Sequence, residues 1–216
     1  MTTNIDGCKV ALALIEVANA IERNKDYLCA LDSEVGDGDH GVSMTIGMRT
    51  ARRALAALPS PTPEAAFRTV AEAFADEVGA ASGALYEGGF AAAARAAAGK
   101  AHLNTVEDWA VVFEAIAQEM QTIGKAELND KTLLDAWLPA AQALRQAATE
   151  GVSLSEGLRR ATAAAQAGVE NTKNLIPKRG RASRLGERAR GYQDAGATSA
   201  YLIIQTLERA LLANQT

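Results

Sequence analysis

Residues 105–124 read TVEDWAVVFEAIAQEMQTIG. Apolar side chains recur there at Val106, Trp109, Phe113, Ile116, Met120 and Ile123, in steps of three and four. A helix turning once every ~3.6 residues gathers such positions onto one face, whereas a half-buried strand needs alternation at every second residue. Thr105 precedes the first of them and Asp108 follows three residues on. That pair matches a partial capping box, in which hydroxyl and carboxylate satisfy the free N–H groups of a helix start. The segment reads as a helix with one buried face, and the same reading extends along the chain in both directions.

Downstream, residues 131 to about 149 carry Leu134, Trp137, Leu138, Ala141 and Leu144 at helical spacing, and Ser153-Leu154-Ser155-Glu156 is a capping box opening a helix to about Asn171. A last helix, about 195–213, uses Tyr201, Ile204, Leu207 and Leu211. Upstream, helices are expected over about 5–27 (Val10, Leu14, Val17, Ile21), 41–57, 63–79 (Phe67, Ala71, Phe74, Val78) and 82–100. The third of these opens on Thr62 as N-cap with Pro63 in the first helical position, where a missing N–H costs nothing. No segment alternates long enough to predict a strand. The expectation is an all-α single domain spanning 1–216, with eight amphipathic helices, neighbours antiparallel where loops are short.

If the helices alternate in direction, the linkers 28–40, 79–83, 124–130 and 174–194 share one rim. These linkers hold the unusual residues, while those at 58–62, 100–104 and 150–152 read as plain turns.

At 216 residues the chain is long enough to bury a core unaided, and Ala dominates its 48% hydrophobic content, which favours closely approaching helices. A net charge of −4 argues against nucleic acid as a partner. Cys8 and Cys29 form neither a disulfide framework nor a zinc spacing. No apolar run approaches the length of a membrane span, and residues 1–7 lack a basic region followed by an apolar one. A cytoplasmic protein with no membrane partner is expected.

The linker 28–40 contains LDSEVGDGDHG, residues 31–41. Two carboxylates about 4 Å apart repel by roughly 4 kcal/mol at an effective dielectric near 20, and hard divalent cations relieve this because they take oxygen ligands. Asp32, Asp37 and Asp39 therefore read as a Mg²⁺ cage; a merely solvated acidic loop is the alternative. An EF-hand begun at Asp37 fails, because Gly41, Val42 and Met48 fall where that loop needs an oxygen ligand, Gly and Glu. Gly36, Gly38 and Gly41 satisfy G-x-G-x-x-G, but no strand precedes them, as a dinucleotide fold requires. His40 is a side chain able to exchange protons near neutrality, although a lone His is more often structural.

Gly79-Ala80-Ala81-Ser82-Gly83-Ala84-Leu85-Tyr86 puts small residues at a helix N-terminus, where unpaired N–H groups and the helix dipole favour an anion such as phosphate. A tight helix corner is the competing reading, weakened by the shared rim. Asp130-Lys131-Thr132 opens a helix either as a cap with solvated neighbours or with Lys131 facing a phosphate. Residues 173–194 hold Lys173, Lys178, Arg179, Arg181, Arg184, Arg188 and Arg190 against Glu187 and Asp194. A basic loop opposite an acidic one points to a polyanion between them, with a merely solvated basic loop as the alternative. No Walker-type phosphate loop is present, since Gly99-Lys100 and Gly124-Lys125 are followed by Ala, and no nucleophile triad is discernible.

Taken in order, LDSEVGDGDHG, GAASGALYEGG, DKTLLDAWLPA and GRASRLGERARGYQDAGATS resemble the L subunit of dihydroxyacetone kinase, across residues 31–199. The resemblance implies a barrel of eight antiparallel amphipathic helices with ADP or ATP bound at one rim. It implies that Asp32, Asp37 and Asp39 hold two Mg²⁺ ions bridging the nucleotide phosphates. It implies nucleotide contacts from His40, Gly41, Val42 and Ser43, from Ala81, Ser82 and Gly83 on the phosphate side, and from Arg181 and the turn Asp194-Ala195-Gly196. Gly124 and Leu133 correspond to positions lining the adenine pocket. The chain departs from the family pattern at Glu87, where Gly is usual, at Tyr192, where His is frequent, and at Ala195, where Pro is frequent.

Phosphoryl transfer asks a protein mainly for positioning and charge neutralisation, which three aspartates, helix N-termini and Arg181 supply. The resemblance further implies a separate dihydroxyacetone-binding K subunit as partner, with either consumed ATP or an ADP cofactor recharged by a phosphocarrier of the phosphotransferase system; a homodimer is left open. A kinase subunit for a related ketose such as a tetrulose, or a nucleotide-sensing coregulator, would keep the same site.

Overall fold

The computed structural model describes residues 4–213, the side chain of Arg181 excepted. Nine α-helices occur among them: α1 (Gly7–Arg23), α2 (Lys25–Val35), α3 (His40–Ala56), α4 (Pro63–Glu77), α5 (Ala81–Ala96), α6 (Val106–Gly124), α7 (Leu134–Thr149), α8 (Leu154–Asn171) and α9 (Ala195–Leu212). Between α8 and α9 the chain makes 3-10 turns at Thr172–Asn174 and Arg181–Ala189. No strand is formed among the described residues, so the all-α expectation holds.

Local chemistry starts these helices as anticipated. Thr62 accepts from the N–H of Ala65 at 3.1 Å with Pro63 behind it. Thr105 and Asp108 form the full reciprocal capping box of α6. Ser153 accepts from the N–H of Glu156, but the Glu156 carboxylate turns to Arg159 and Arg160 rather than back to the cap.

The long helices pack in a closed circuit. From α3 to α9 each lies against the next, α9 returns to α1, and α1 packs on α3. The interior is filled by Trp109, Phe113 and Trp137 in edge-to-face contacts, with ring centroids 6.3 and 5.3 Å apart, beside Phe67, Phe74, Tyr86 and Phe90. Each such aromatic pair adds about 0.5–1.5 kcal/mol beyond its buried area.

Three expectations need correction. The span 5–27 is not one helix: it ends at Asn24, whose side-chain amide donates to the Ala20 carbonyl at 2.8 Å, and a new helix starts at Lys25. That helix, α2, occupies what reads as a linker, because only Leu28 and Val35 are buried and two residues make no stripe. It lies against α3 and α9, with only slight contact to α1. Next, α7 begins at Leu134, not 131. Asp135 accepts from the N–H groups of Asn129 and Thr132 at 2.6 and 2.8 Å, and Lys131 adopts a left-handed φ of 60°, so 129–133 is a capping turn. Last, Ile123, placed on the buried stripe of α6, is 40% exposed where that helix leaves the core.

Candidate functional site

The four junctions assigned to one rim do converge. A cavity of roughly 320 Å³ is walled by residues of the α2–α3 connection, the start of α5, the α6–α7 loop and the segment before α9. The extra helix does not upset that convergence, because α2 lies against α3 and α9 rather than interrupting the circuit.

Asp32 stands in the last turn of α2, a helical position rather than a loop, and the chain then crosses to α3 in four residues, 36–39. Gly36 leaves room for the Asp32 carboxylate, into which any Cβ at 36 would run. Gly38 takes a φ of 77°, a conformation that costs side-chain-bearing residues energy. Folded this way, Asp32, Asp37 and Asp39 each present a carboxylate oxygen within 4.8 Å of the others. An all-carboxylate, partly solvated oxygen set suits Mg²⁺ or Ca²⁺ and not a thiophilic metal. The chemistry of these donors therefore fits the cation expected from the sequence.

His40 opens α3. Its backbone N–H donates to Asp32 Oδ2 at 3.2 Å, and its Nε2 lies 2.9 Å from the Ser199 hydroxyl of α9. Ser199 donates to the Gly196 carbonyl at 2.9 Å, and the Tyr86 hydroxyl is 3.3 Å away. With the serine proton committed to Gly196, all three contacts are satisfied only if His40 carries its proton on Nε2 and donates it. Burial pushes the His40 pKa down, with Asp32 opposing, so the ring is neutral at pH 7. Burial likewise raises Tyr86 to about 12, keeping it a neutral hydroxyl.

Asp194 caps α9, accepting from the N–H of Ala197 at 2.7 Å. Burial raises its pKa to about 7; the charges of Asp135 and Asp32 add to that, while the Ala197 N–H and Lys131 pull the other way. At α5 no side chain caps the helix start, where Ala80 is the N-cap; the Gly83 N–H donates to the Ala80 carbonyl at 2.8 Å, which leaves the N–H groups of Ala81 and Ser82 for an anion. Leu85, Met120, Leu133 and Leu134 give the cavity an apolar flank beside this polar rim.

Of the residues singled out in the sequence, Asp32, Asp37, Asp39, His40, Ala81, Ser82, Gly124, Leu133, Asp194, Ala195 and Gly196 line the cavity. Gly41, Val42, Ser43 and Gly83 do not. Gly41 faces α2, where a Cβ would strike the Lys25 carbonyl, Val42 is exposed, and Gly83 packs on the Val78 carbonyl. Arg181 begins the longer 3-10 turn, and its side chain lies outside the described residues. Glu87 is exposed and away from the cavity wall. Arg179 of the basic loop lines the cavity too, as do Leu85, Met120, Ala126 and Leu134, which the sequence does not mark as site residues. Met120 and Leu134 carry the same signal as any core residue; only their place beside Gly124 and Leu133 could have marked them.

Fold and cavity together define a helical protein, among its described residues, in which a cluster of three carboxylates and a helix start without a side-chain cap border the same cavity. Residues 34–209 match the family described as the DAK2 domain, and the chain belongs to that family. It is 36% identical to the ADP-binding subunit DhaL of PEP-dependent dihydroxyacetone kinase 2 from Listeria innocua, over 90% of each chain. Identity to the corresponding Escherichia coli subunit is 34%, over 91% of this chain and 93% of that one. An L-erythrulose kinase of Pectobacterium atrosepticum is 33% identical, but this chain covers only 35% of its length. Among solved structures, the dihydroxyacetone kinase of C. freundii in complex with AMP-PNP and Mg²⁺ superposes with a TM-score of 0.72 and 27% identity, over 93% of this chain and 33% of that one.

Proposed function

We propose that this protein is the nucleotide-binding subunit of a two-component dihydroxyacetone kinase, which passes the terminal phosphate of a nucleotide to a small ketose held on a separate K subunit. The observation that carries this reading is the convergence of Asp32, Asp37 and Asp39 within 4.8 Å at a cavity shared with the uncapped start of α5.

Asp32, Asp37 and Asp39 would hold Mg²⁺, two ions in this reading, which when bound neutralise phosphate charge and orient the transferring group. The N–H groups at Ala81 and Ser82 receive phosphate oxygens, with Arg181 as an added positive charge. His40, neutral and fixed by Ser199, supports the Asp32 carboxylate through its backbone N–H. Leu133 and Gly124, beside Met120, take the flat apolar faces of the base. No residue of this chain needs to form a covalent intermediate: the bond from phosphorus to the ADP oxygen breaks as the bond to the ketose oxygen forms, and the ketose hydroxyl gives up its proton to a base of the K subunit or to solvent.

The full-length relatives named PEP-dependent support ADP as a retained cofactor recharged by a phosphocarrier. Choice of ketose belongs to the partner, consistent with an L-erythrulose kinase among the relatives. No helix of the described residues is long and apolar enough to cross a membrane, and the protein works in the cytoplasm in this reading. Calorimetric titration of ADP with and without Mg²⁺, followed by turnover assays with a K subunit and either ATP or a PEP-charged phosphocarrier, tests it. Absence of Mg²⁺-dependent ADP binding would reject the assignment.

A further inference from the structure

Lys131 is 2% exposed. Its ammonium donates to the carbonyls of Ala189 and Tyr192, each at 2.7 Å, and of Leu175 at 3.3 Å. An ammonium has three protons to give, so although Lys131 borders the cavity, its ammonium is engaged by these carbonyls. Neither of the two readings of it, a solvated neighbour of the cap or a residue facing a phosphate, describes that role. All three acceptors belong to the segment 175–192, which also carries the cavity-lining Arg179, Gly180 and Ala182.

The neighbouring Asp130, 4% exposed, holds the same segment from a second side. It accepts from Lys178 Nζ at 2.9 Å and from Arg179 Nε at 3.5 Å, and its carbonyl accepts from the Lys178 N–H at 3.1 Å. Burying an amine is costly unless its hydrogen bonds are met, and an apolar side chain would fill that space more cheaply. Burial lowers the Lys131 pKa, with Asp194 opposing. What the amine adds over a hydrocarbon is three directed ties between two loops that share a cavity wall.

We propose that Lys131 is a positioning residue, whose ties to Leu175, Ala189 and Tyr192 keep residues 179–182 in place as a wall against the bound nucleotide. The proposal rests on the nucleotide reading above.

Lys131→Met keeps the stem and removes the donors, and Asp130→Asn weakens the second tie without altering the buried amine. Two measurements apply: the rate of limited trypsin cleavage after Lys178, Arg179, Arg184, Arg188 and Arg190, and the dissociation rate of a fluorescent ADP analogue in Mg²⁺. For Lys131→Met both rates should rise about tenfold with the association rate unchanged, as for partners that orient ligand-binding groups from behind. Asp130→Asn should move both in the same direction by less, and Lys131→Arg should recover part of the loss.

Faster cleavage with unchanged dissociation would reduce Lys131 to a structural residue and overturn the proposal, as would no change in either rate. Should Lys131→Met fail to melt cooperatively, Asp130→Asn decides by the same two rates. If the unsubstituted protein binds no Mg²⁺-ADP, the nucleotide reading falls, while cleavage still reports whether Lys131 pins the segment.

Discussion

The imidazole of His40 and the hydroxyl of Ser199 meet at 2.9 Å although 159 residues separate them, joining the first turn of α3 to the first turns of α9. Because the His40 backbone N–H also donates to Asp32, that carboxylate is tied to α9 through two hydrogen bonds made by one residue.

Replacing Ser199 by Ala removes the partner of His40, of Tyr86 and of the Gly196 carbonyl in a fully buried position. Leaving such groups unsatisfied costs about 1–3 kcal/mol. Urea unfolding should show that loss, and ADP affinity should fall with it, because the support of Asp32 slackens.

Asp37→Ala falls in the short connection before α3, outside any helix. Mg²⁺-dependent ADP binding should be abolished in calorimetry while far-ultraviolet circular dichroism stays that of the parent. Unchanged affinity would reject Asp37 as a ligand.

Gly41→Ala tests the packing that sets the trio's spacing. The new methyl would meet the Lys25 carbonyl and lie 2.8 Å from Cys29 Sγ, so α2, with Asp32 on it, must shift from α3. Overpacking of this kind costs about 1–3 kcal/mol, read as a lower melting temperature, and Mg²⁺ affinity should drop although no ligand has been touched.

Acid should loosen the 175–192 segment. Burial works to raise the Asp130 pKa, but Lys178, the Glu127 N–H and Arg179 outweigh it and hold the carboxyl below its ordinary 3.8. A depressed pKa in the folded state means stability that is complete above 3.8 and lost as pH falls below it. The stability difference between the parent and Asp130→Asn should therefore be constant from pH 7 to 5 and shrink toward pH 3, measured by denaturant titration at each pH.

How much of this was legible beforehand follows from where each residue's signal lies. Helices with a continuous buried face, such as α6, announce themselves through spacing and caps, and Val106, Trp109, Phe113, Ile116 and Met120 all lie inward. The helix α2 escaped because it buries only two side chains, Leu28 and Val35, too few to make a periodic stripe. The carboxylate trio was visible because charge and glycine are concentrated within eight residues. The Lys131 ties were not, since carbonyls are present at every residue and only tertiary folding selects those of Leu175, Ala189 and Tyr192. Gly41 and Gly83, which the family resemblance marks as nucleotide contacts, stand where backbones approach closely, a need that also calls for glycine.

The closure of the helical circuit, with α9 lying on α1 and Lys9 Nζ donating to the Ala213 carbonyl at 3.1 Å, has a topological corollary. Joining residues near 4 and 213 by a short linker and opening the chain at the plain turn 150–152 would yield a circular permutant in which all four cavity-forming junctions stay unbroken. Folds whose first and last helices lie side by side tolerate such rewiring. Such a permutant that still bound Mg²⁺-ADP would separate the order in which the helices are synthesised from the site they assemble.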